Sequence, residues 1–180
     1  MKDGTIDNQQ RSLEIRLSWL GGILDGEGTI SFASKYSPTS RQIQYHFRPQ
    51  ITVTNSDPKM IEEITKILKD VDCAYYIKSA GNPNKRKANW KVYTQIHFEG
   101  MRRLHKFLPI ITPYLITKRR QAELILQYIE SRFSGGHKDP ITDDQLNLVL
   151  QVRQLNHRGT LNRPETIRRT PIGEDIVRPA

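Results

Sequence analysis

The chain has 180 residues, a length that suits one domain with a substantial core. Hydrophobic residues make up 36% and charged residues 26%, the balance of a soluble globular protein. No apolar run approaches the length of a membrane span, and the N-terminus, with Asp3 and Asp7, lacks a signal-peptide core, so an intracellular protein with no membrane partner is expected. Cys73 is the only cysteine, which excludes an intrachain disulfide and any Cys-rich zinc site; the five histidines offer no pair at zinc-binding helical spacing. Any metal here should be a hard cation held by oxygen. Lys and Arg together number 28 against 19 Asp and Glu, a net +9 that favours a polyanionic partner, of which nucleic acid is the commonest.

The first twelve residues are polar and are expected to be disordered. Leu13, Leu17, Leu20 and Leu24 recur at helical spacing until Gly26 and Gly28 stop the helix. Thr29 to Tyr36 reads as a strand, Ser37-Pro38-Thr39-Ser40 as a turn, and Gln42 to Thr54 as a second strand in which Pro49 calls for a bulge or an edge position. Ser56-Asp57-Pro58 opens a helix, with Asp57 as N-cap, Pro58 at the first turn and an apolar stripe of Ile61, Ile64, Leu68 and Val71. Ala74 to Ser79 and Trp90 to Phe98 should pair as strands around a basic loop containing Lys85, Arg86 and Lys87. A short helix from about Gly100 should end at Pro109, and another should run from Thr117 to Arg132 with Ala122, Leu126 and Ile129 inward. Thr142-Asp143-Asp144-Gln145 fits a capping box before Leu146, Val149, Val152 and Leu155. The predicted architecture is α+β: an αββαββα core, helices on one face of an antiparallel sheet, with further helices C-terminal. One domain should span 13–157, followed by a basic tail over 158–180.

Leu20-Gly21-Gly22-Ile23-Leu24-Asp25-Gly26-Glu27-Gly28 stands out on two counts. Each glycine inside a helix costs about 1 kcal/mol relative to alanine, a cost that makes sense if another backbone must come close. Asp25 and Glu27 sit at a helix C-terminus, where the dipole disfavours negative charge, so they want a compensating cation, which a divalent metal would supply. A second copy of the helix would bring two copies of Glu27 together, repelling unless metals lie between them. The same residues also read as a glycine cap followed by two solvated acids.

This nonapeptide resembles the LAGLIDADG motif of homing endonucleases, with Gly21 in place of the motif's alanine and Glu27 in place of its second aspartate. Ile51-Thr52-Val53-Thr54-Asn55 is similar to the family's second strand. The run Pro113-Tyr114-Leu115-Ile116-Thr117-Lys118-Arg119-Arg120-Gln121-Ala122 resembles its Pro-x-Leu to Gln-Ala landmark, and Leu155-Asn156-His157-Arg158-Gly159 the close of its last helix. The resemblance covers roughly Leu13 to Gly159. It implies that Glu27, with the Gly26 carbonyl, binds a catalytic divalent metal, Mg2+ or Mn2+, with Ca2+ a non-catalytic substitute. Asp25 is carried over as ligand or as buttress. Lys118 would stabilise the attacking water or scissile phosphate, and Asn55 and Lys59 would organise solvent around the metals. One motif per chain, with no internal repeat, implies a homodimer whose seam would be Leu17, Leu20, Gly21, Gly22, Leu24 and Asp25.

The implied reaction is metal-dependent phosphodiester hydrolysis on both strands of a long pseudo-palindromic DNA site, by a protein encoded within an intron. Reading of double-stranded DNA would fall to the polar face of the sheet: Ser31, Ala33, Lys35 and Ser37; His46, Arg48, Gln50 and Thr52; Lys78; and Lys91, Tyr93, Gln95 and His97. Ile30, Phe32 and Ser34, and Tyr45, Phe47, Ile51 and Val53, would face the core, with Pro49 perturbing the register. Lys85, Arg86, Lys87, Arg119, Arg120, Arg163, Arg168 and Arg169 would contact phosphates. An RNA-splicing maturase binding its own intron, or a DNA-binding protein without cleavage, are the rival readings on the same fold.

Overall fold

A computed structural model describes residues 4–39, 42–79, 92–134 and 140–157; for 4–11, 35–39, 42–46 and 79 the description is of backbone alone. Helix α1 (Gly4–Glu27) leads directly into β1 (Gly28–Thr39), which is followed by β2 (Gln42–Asn55), α2 (Pro58–Asp70), β3 (Tyr76–Ser79), β4 (Thr94–Glu99) and α3 (Met101–Ile111). A 3₁₀ turn (Thr112–Tyr114), α4 (Arg119–Ser134) and α5 (Asp143–Leu155) complete the chain. The strands form one antiparallel sheet in the order β1-β2-β4-β3, giving the expected αββαββα order with two further helices.

One face of the sheet is dry. Ile30 and Phe32 from β1, Ile51 and Val53 from β2, and Ile96 and Phe98 from β4 point into the core, where the helices meet them. The period-2 alternation of apolar residues thus fixes the register, because a slip of one residue would turn these side chains to water. Helix α1 contributes Leu17, Leu20 and Leu24, α3 contributes Leu104, Phe107, Leu108 and Ile111, and α4 contributes Ile125 and Ile129. Arg16 on α1 ties this layer to α2 through Glu63 at 2.9 Å and Asp70 at 2.5 Å. At the C-terminal end, Asn156 donates to the Ile30 carbonyl at 2.7 Å, satisfying backbone on the edge strand.

The helix signals in the sequence act as expected at two sites. Asp57 accepts from the Lys59 amide with Pro58 in the first turn, and Thr142 and Gln145 make the reciprocal capping box. Other expectations are corrected. The helix before the motif reaches back to Gly4, beyond the apolar periodicity that starts at Leu13. Ser37 to Thr39 belong to β1, not to a turn, since Thr39 pairs with Gln42. Pro49 makes no bulge: it pairs in register with Phe32, and the β4 ladder on its other side stops at Gln50, so no donor is needed there. Ser34 is exposed instead of inward, and Leu155 is exposed on the last turn of α5. Pro109 does not end α3 but sits inside it. It is exposed, so water can satisfy the carbonyl it leaves unbonded, while burial of Leu108 and Ile111 holds the last turn helical.

Gly21 is required by packing within the chain. A Cβ there would lie 2.5 Å from the Tyr114 carbonyl oxygen and 2.8 Å from the Tyr114 Cβ, whereas one at Gly22 would meet nothing within 4 Å. Gly21→Ala should therefore cost about 1–3 kcal/mol of unfolding free energy through overpacking, while Gly22→Ala, titrated in the same way on the dissociated single chain, should be neutral or gain up to about 1 kcal/mol. Equal effects of the two substitutions would show that Tyr114 does not set the constraint.

Candidate functional site

The motif residues lie where α1 runs out and β1 begins, at the sheet end also reached by β2. Gly28 pairs with Val53, so Asn55, two residues on, lies at this end with the C-terminus of α1. Two charged side chains lock the corner together. The Asp25 carboxylate accepts from the amides of Ile116 at 2.6 Å, Thr117 at 3.1 Å and Lys118 at 2.9 Å. These amides precede α4, whose first bond runs from the Ala122 amide to the Lys118 carbonyl; Asp25 thus caps the positive end of another helix. In return the Lys118 ammonium donates to the Leu24 carbonyl at 2.9 Å and to the Asp25 carbonyl, capping the negative end of α1. Burial pushes the Asp25 carboxyl up, but the amides of Ile116, Lys118 and Thr117 outweigh it and hold its pKa below the ordinary value.

Within the chain Asp25 acts as a buttress, both its oxygens engaged by amides. The cation that the acids of the helix end call for is supplied in part by Lys118. Glu27 is different. It is exposed and, among the described residues, makes no hydrogen bond or ion pair. No side chain among the described residues takes the Gly26 carbonyl either, and one carboxylate and one carbonyl are only about two of the roughly six oxygens a hard cation requires. Accordingly, no group of three or more His, Cys, Asp or Glu gathers among the described residues. Asn55 accepts from the Asp57 amide at 2.8 Å, shaping the turn into α2, while Lys59 is exposed on the first turn of that helix. Burial pushes the Cys73 thiol up to about 11, so it holds no reactive thiolate at neutral pH.

The residues expected at a dimer seam are mostly occupied within the chain. Leu17, Leu20 and Leu24 are buried in the chain's own core, and Gly21 faces Tyr114. The open face of α1 instead carries Ile15 (64% exposed), Trp19 (38% exposed), Gly22 and Gly26, at helical spacing. Of the expected residues only Gly22 lies on it. Ile15 could have been found by stepping four residues back from Trp19.

The outward face of the sheet forms cross-strand rows: Thr54–Gln95–Lys78, Thr29–Thr52–His97–Tyr76, Ser31–Gln50–Glu99 and Ala33–Arg48. Ser31, Ala33, Arg48, Gln50, Thr52, Lys78, Gln95 and His97 therefore share one face, as expected, and Tyr93 lies exposed just before β4. Hydrogen bonds knit the rows: Gln50 to Ser31 at 3.3 Å, Gln95 to Thr54 at 3.2 Å, and Thr52 to His97 Nδ1 at 3.1 Å. His97 stacks on Tyr76 at 5.1 Å with the planes 5° apart, and Lys78 lies over the other ring. Burial first, and then the charge of Lys78, hold the His97 pKa below its ordinary value, so the imidazole is neutral at pH 7. Thr29, Thr54, Tyr76 and Glu99 were missed, although carrying the same parity two residues further along each strand finds all four. Lys85, Arg86, Lys87 and Lys91 lie outside the described residues, as do Arg163, Arg168 and Arg169; for Lys35, Ser37 and His46 only the backbone register is given. Arg119 is engaged within its own loop, donating to the carbonyls of Leu115 at 2.9 Å and Pro113 at 3.1 Å, and Arg120 pairs loosely with Glu123 at 3.5 Å.

A family model described as a LAGLIDADG-like domain matches residues 14–112, and the chain belongs to that family. The DNA endonuclease I-CvuI of Chlorella vulgaris is 29% identical over 129 residues, 71% of this chain and 70% of that protein. A crystal structure of I-CvuI in complex with its target in the presence of Ca2+ superposes with a TM-score of 0.61 at 26% identity, covering 83% of this chain and 87% of that one. The fold is shared with the group I intron-encoded homing endonuclease I-CeuI complexed with DNA, at a TM-score of 0.61 and 17% identity over 82% of this chain and 70% of that one.

Asp25→Asn should lower unfolding free energy at pH 7 by about 1–3 kcal/mol, because the charge that strengthens the amide bonds is lost. Since the folded pKa is depressed, the wild-type advantage is full above the ordinary value of 3.8 and is lost as pH falls through the lower folded value. Denaturant titrations of both proteins from pH 7 to pH 2 should converge at the acid end; parallel curves would contradict the assignment.

Proposed function

We propose that this protein is an intron-encoded homing endonuclease that works inside the cell as a homodimer, cutting both strands of a long, pseudo-palindromic DNA site with divalent metal. The observation that carries this reading is the division of labour at the end of α1. Asp25 and Lys118 rigidly cap the two helix ends, leaving the Glu27 carboxylate exposed beside the sheet. Family membership and the endonuclease relative give the same direction.

Each chain offers half a site. Glu27 and the Gly26 carbonyl would hold Mg2+ or Mn2+, with Glu27 of a second copy completing the oxygen ligands. The bound ion supplies a Lewis acid and lowers the pKa of water. The residues of the chain do the positioning. Asp25 fixes the loop that carries Lys118, and two α1 carbonyls fix the Lys118 ammonium as a positive charge at the end where a scissile phosphate would lie. Seating two α1 helices on their Ile15–Trp19–Gly22–Gly26 faces brings the two Glu27 residues together and lets the sheets extend away on either side, each to one half of the DNA. The charge of +9 per chain is doubled in the dimer and favours a polyanion.

The test uses intronless DNA joined from the sequences flanking the reading frame, incubated with Mg2+. The wild type should cut both strands, and Glu27→Gln should slow cleavage by on the order of 10³-fold or more while still binding the same duplex. A wild type that leaves the DNA uncut in both Mg2+ and Mn2+ would sink the reading. Sedimentation supplies the matching check on assembly: Ile15→Asp combined with Trp19→Asp should turn a dimer into a folded monomer that no longer makes double-strand breaks.

A further inference from the structure

Arg48 and Glu99 are joined across the outward face of the sheet, the Arg48 Nη1 donating to the Glu99 Oε1 at 3.1 Å. They are diagonal neighbours: Glu99 is paired in register with Gln50, and Arg48 follows Gln50 on the same face of β2 in the direction of the β1–β2 connection. The backbone below them is fixed. Pro49, next to Arg48, gives its carbonyl to the amide of Gly100, next to Glu99, at 3.0 Å. Gly100 has φ 101°, a conformation that favours glycine and that turns the chain from β4 into α3. Glu99 is the better covered of the two, its side chain 20% exposed against 53% for Arg48, so the carboxylate holds the guanidinium in place.

Stability does not account for the pair, since exposed ion pairs contribute little. Nor does affinity for a polyanion: a carboxylate on such a surface is repelled, and here it cancels the charge of the arginine beside it. What the couple does provide is a row of hydrogen-bonding groups. Among the described residues, the Nε and Nη2 donors of Arg48 have no partner beyond the ion pair and Oε2 of Glu99 accepts from no other group. A donor, donor, acceptor row is the complement of the major-groove edge of a G·C pair, which presents guanine N7 and O6 as acceptors and the cytosine N4 amino group as donor. An A·T pair presents acceptor, donor, acceptor, and would set the guanidinium against an amino group and the carboxylate against a carbonyl.

We propose that Arg48 and Glu99 read one G·C base pair in each half of the DNA site as a single unit, with Glu99 the specificity-determining member. Arg48 addresses guanine, and Glu99 both aims Arg48 and accepts from the partner cytosine. This rests on the nuclease reading above and adds to it a residue that no basic-patch argument would select.

The experiment is a binding selection from duplexes randomised across the target, in Ca2+ so that binding is scored without cleavage, for wild type, Glu99→Gln and Arg48→Ala. The wild type should require G·C at one position per half-site, by about tenfold or more over the next pair. Glu99→Gln should relax that position to within about threefold while every other position keeps its preference. It should also steepen the salt dependence of log affinity by about one unit, as Arg48 is released to a phosphate. Arg48→Ala should abolish the preference at the same position. If Glu99→Gln lowers only the unfolding midpoint and leaves the base profile intact, the proposal is overturned and the pair is structural. A wild type that enriches no sequence overturns the nuclease reading together with it, so the two failures are distinct.

Discussion

The corner between α1 and α4 depends on an exchange of charges between helix ends. The C-terminus of α1 has orphan carbonyls and a negative partial charge; the N-terminus of α4 has orphan amides and a positive one. Lys118 from the second answers the first, and Asp25 from the first answers the second. Each residue is costly where the sequence alone places it, an acid at a helix C-terminus and a base at a helix N-terminus, and each becomes favourable only when the two ends are brought together. Tyr114 closes the same corner from the side, its carbonyl against the bare backbone of Gly21. Everything the candidate site needs, an exposed Glu27 on a rigid stem and a fixed cation beside it, follows from that exchange.

The corner also shows why the chain needs a second copy for the function proposed. Its own core already takes the leucines of α1, one turn after another, and its own loop takes Gly21. What remains on the helix is a narrow face of two apolar side chains and two glycines whose surroundings are open. A narrow face with small residues at its catalytic end permits close backbone approach where the acids must meet, while Ile15 and Trp19 supply apolar contact further up the helix. Closeness at one end and burial at the other are separate requirements, and the sequence of α1 meets them at separate places.

Much of the fold was legible because strong local rules applied without competition. Asp57-Pro58 and Thr142 to Gln145 start helices by the capping chemistry their residues carry, and the alternation Ile51-Val53 against Thr52-Thr54 sets the faces of β2. Pro109 and the glycine pair were harder for one reason: both are settled by tertiary contacts. The helical turn at Pro109 survives through burial of Leu108 and Ile111, and the two adjacent glycines, alike in sequence, face a backbone and open space respectively. The apolar stripe of α1 says which residues leave water and not what receives them, and Leu17, Leu20 and Leu24 are received by the chain's own core. Asp25 and Lys118 were legible as site residues through the motif they belong to, but their partners were not, since bonds between residues more than ninety positions apart leave no periodicity to read.

The four outward rows from Ala33–Arg48 to Thr54–Gln95–Lys78 carry little net charge for a protein of +9. In these rows Arg48 is balanced by Glu99, His97 is held neutral, and Lys78 is the remaining cation beside serine, threonine and glutamine. For a protein that reads duplex DNA, this balance is physically useful. Charge is attracted to every phosphate and raises affinity for all sequences alike, whereas neutral donors and acceptors held in fixed positions lose more at a wrong base than they gain elsewhere. Gln95 illustrates the point, since its amide is oriented by Thr54 on one side and His97 on the other, so it presents a defined pattern and cannot turn to suit another base.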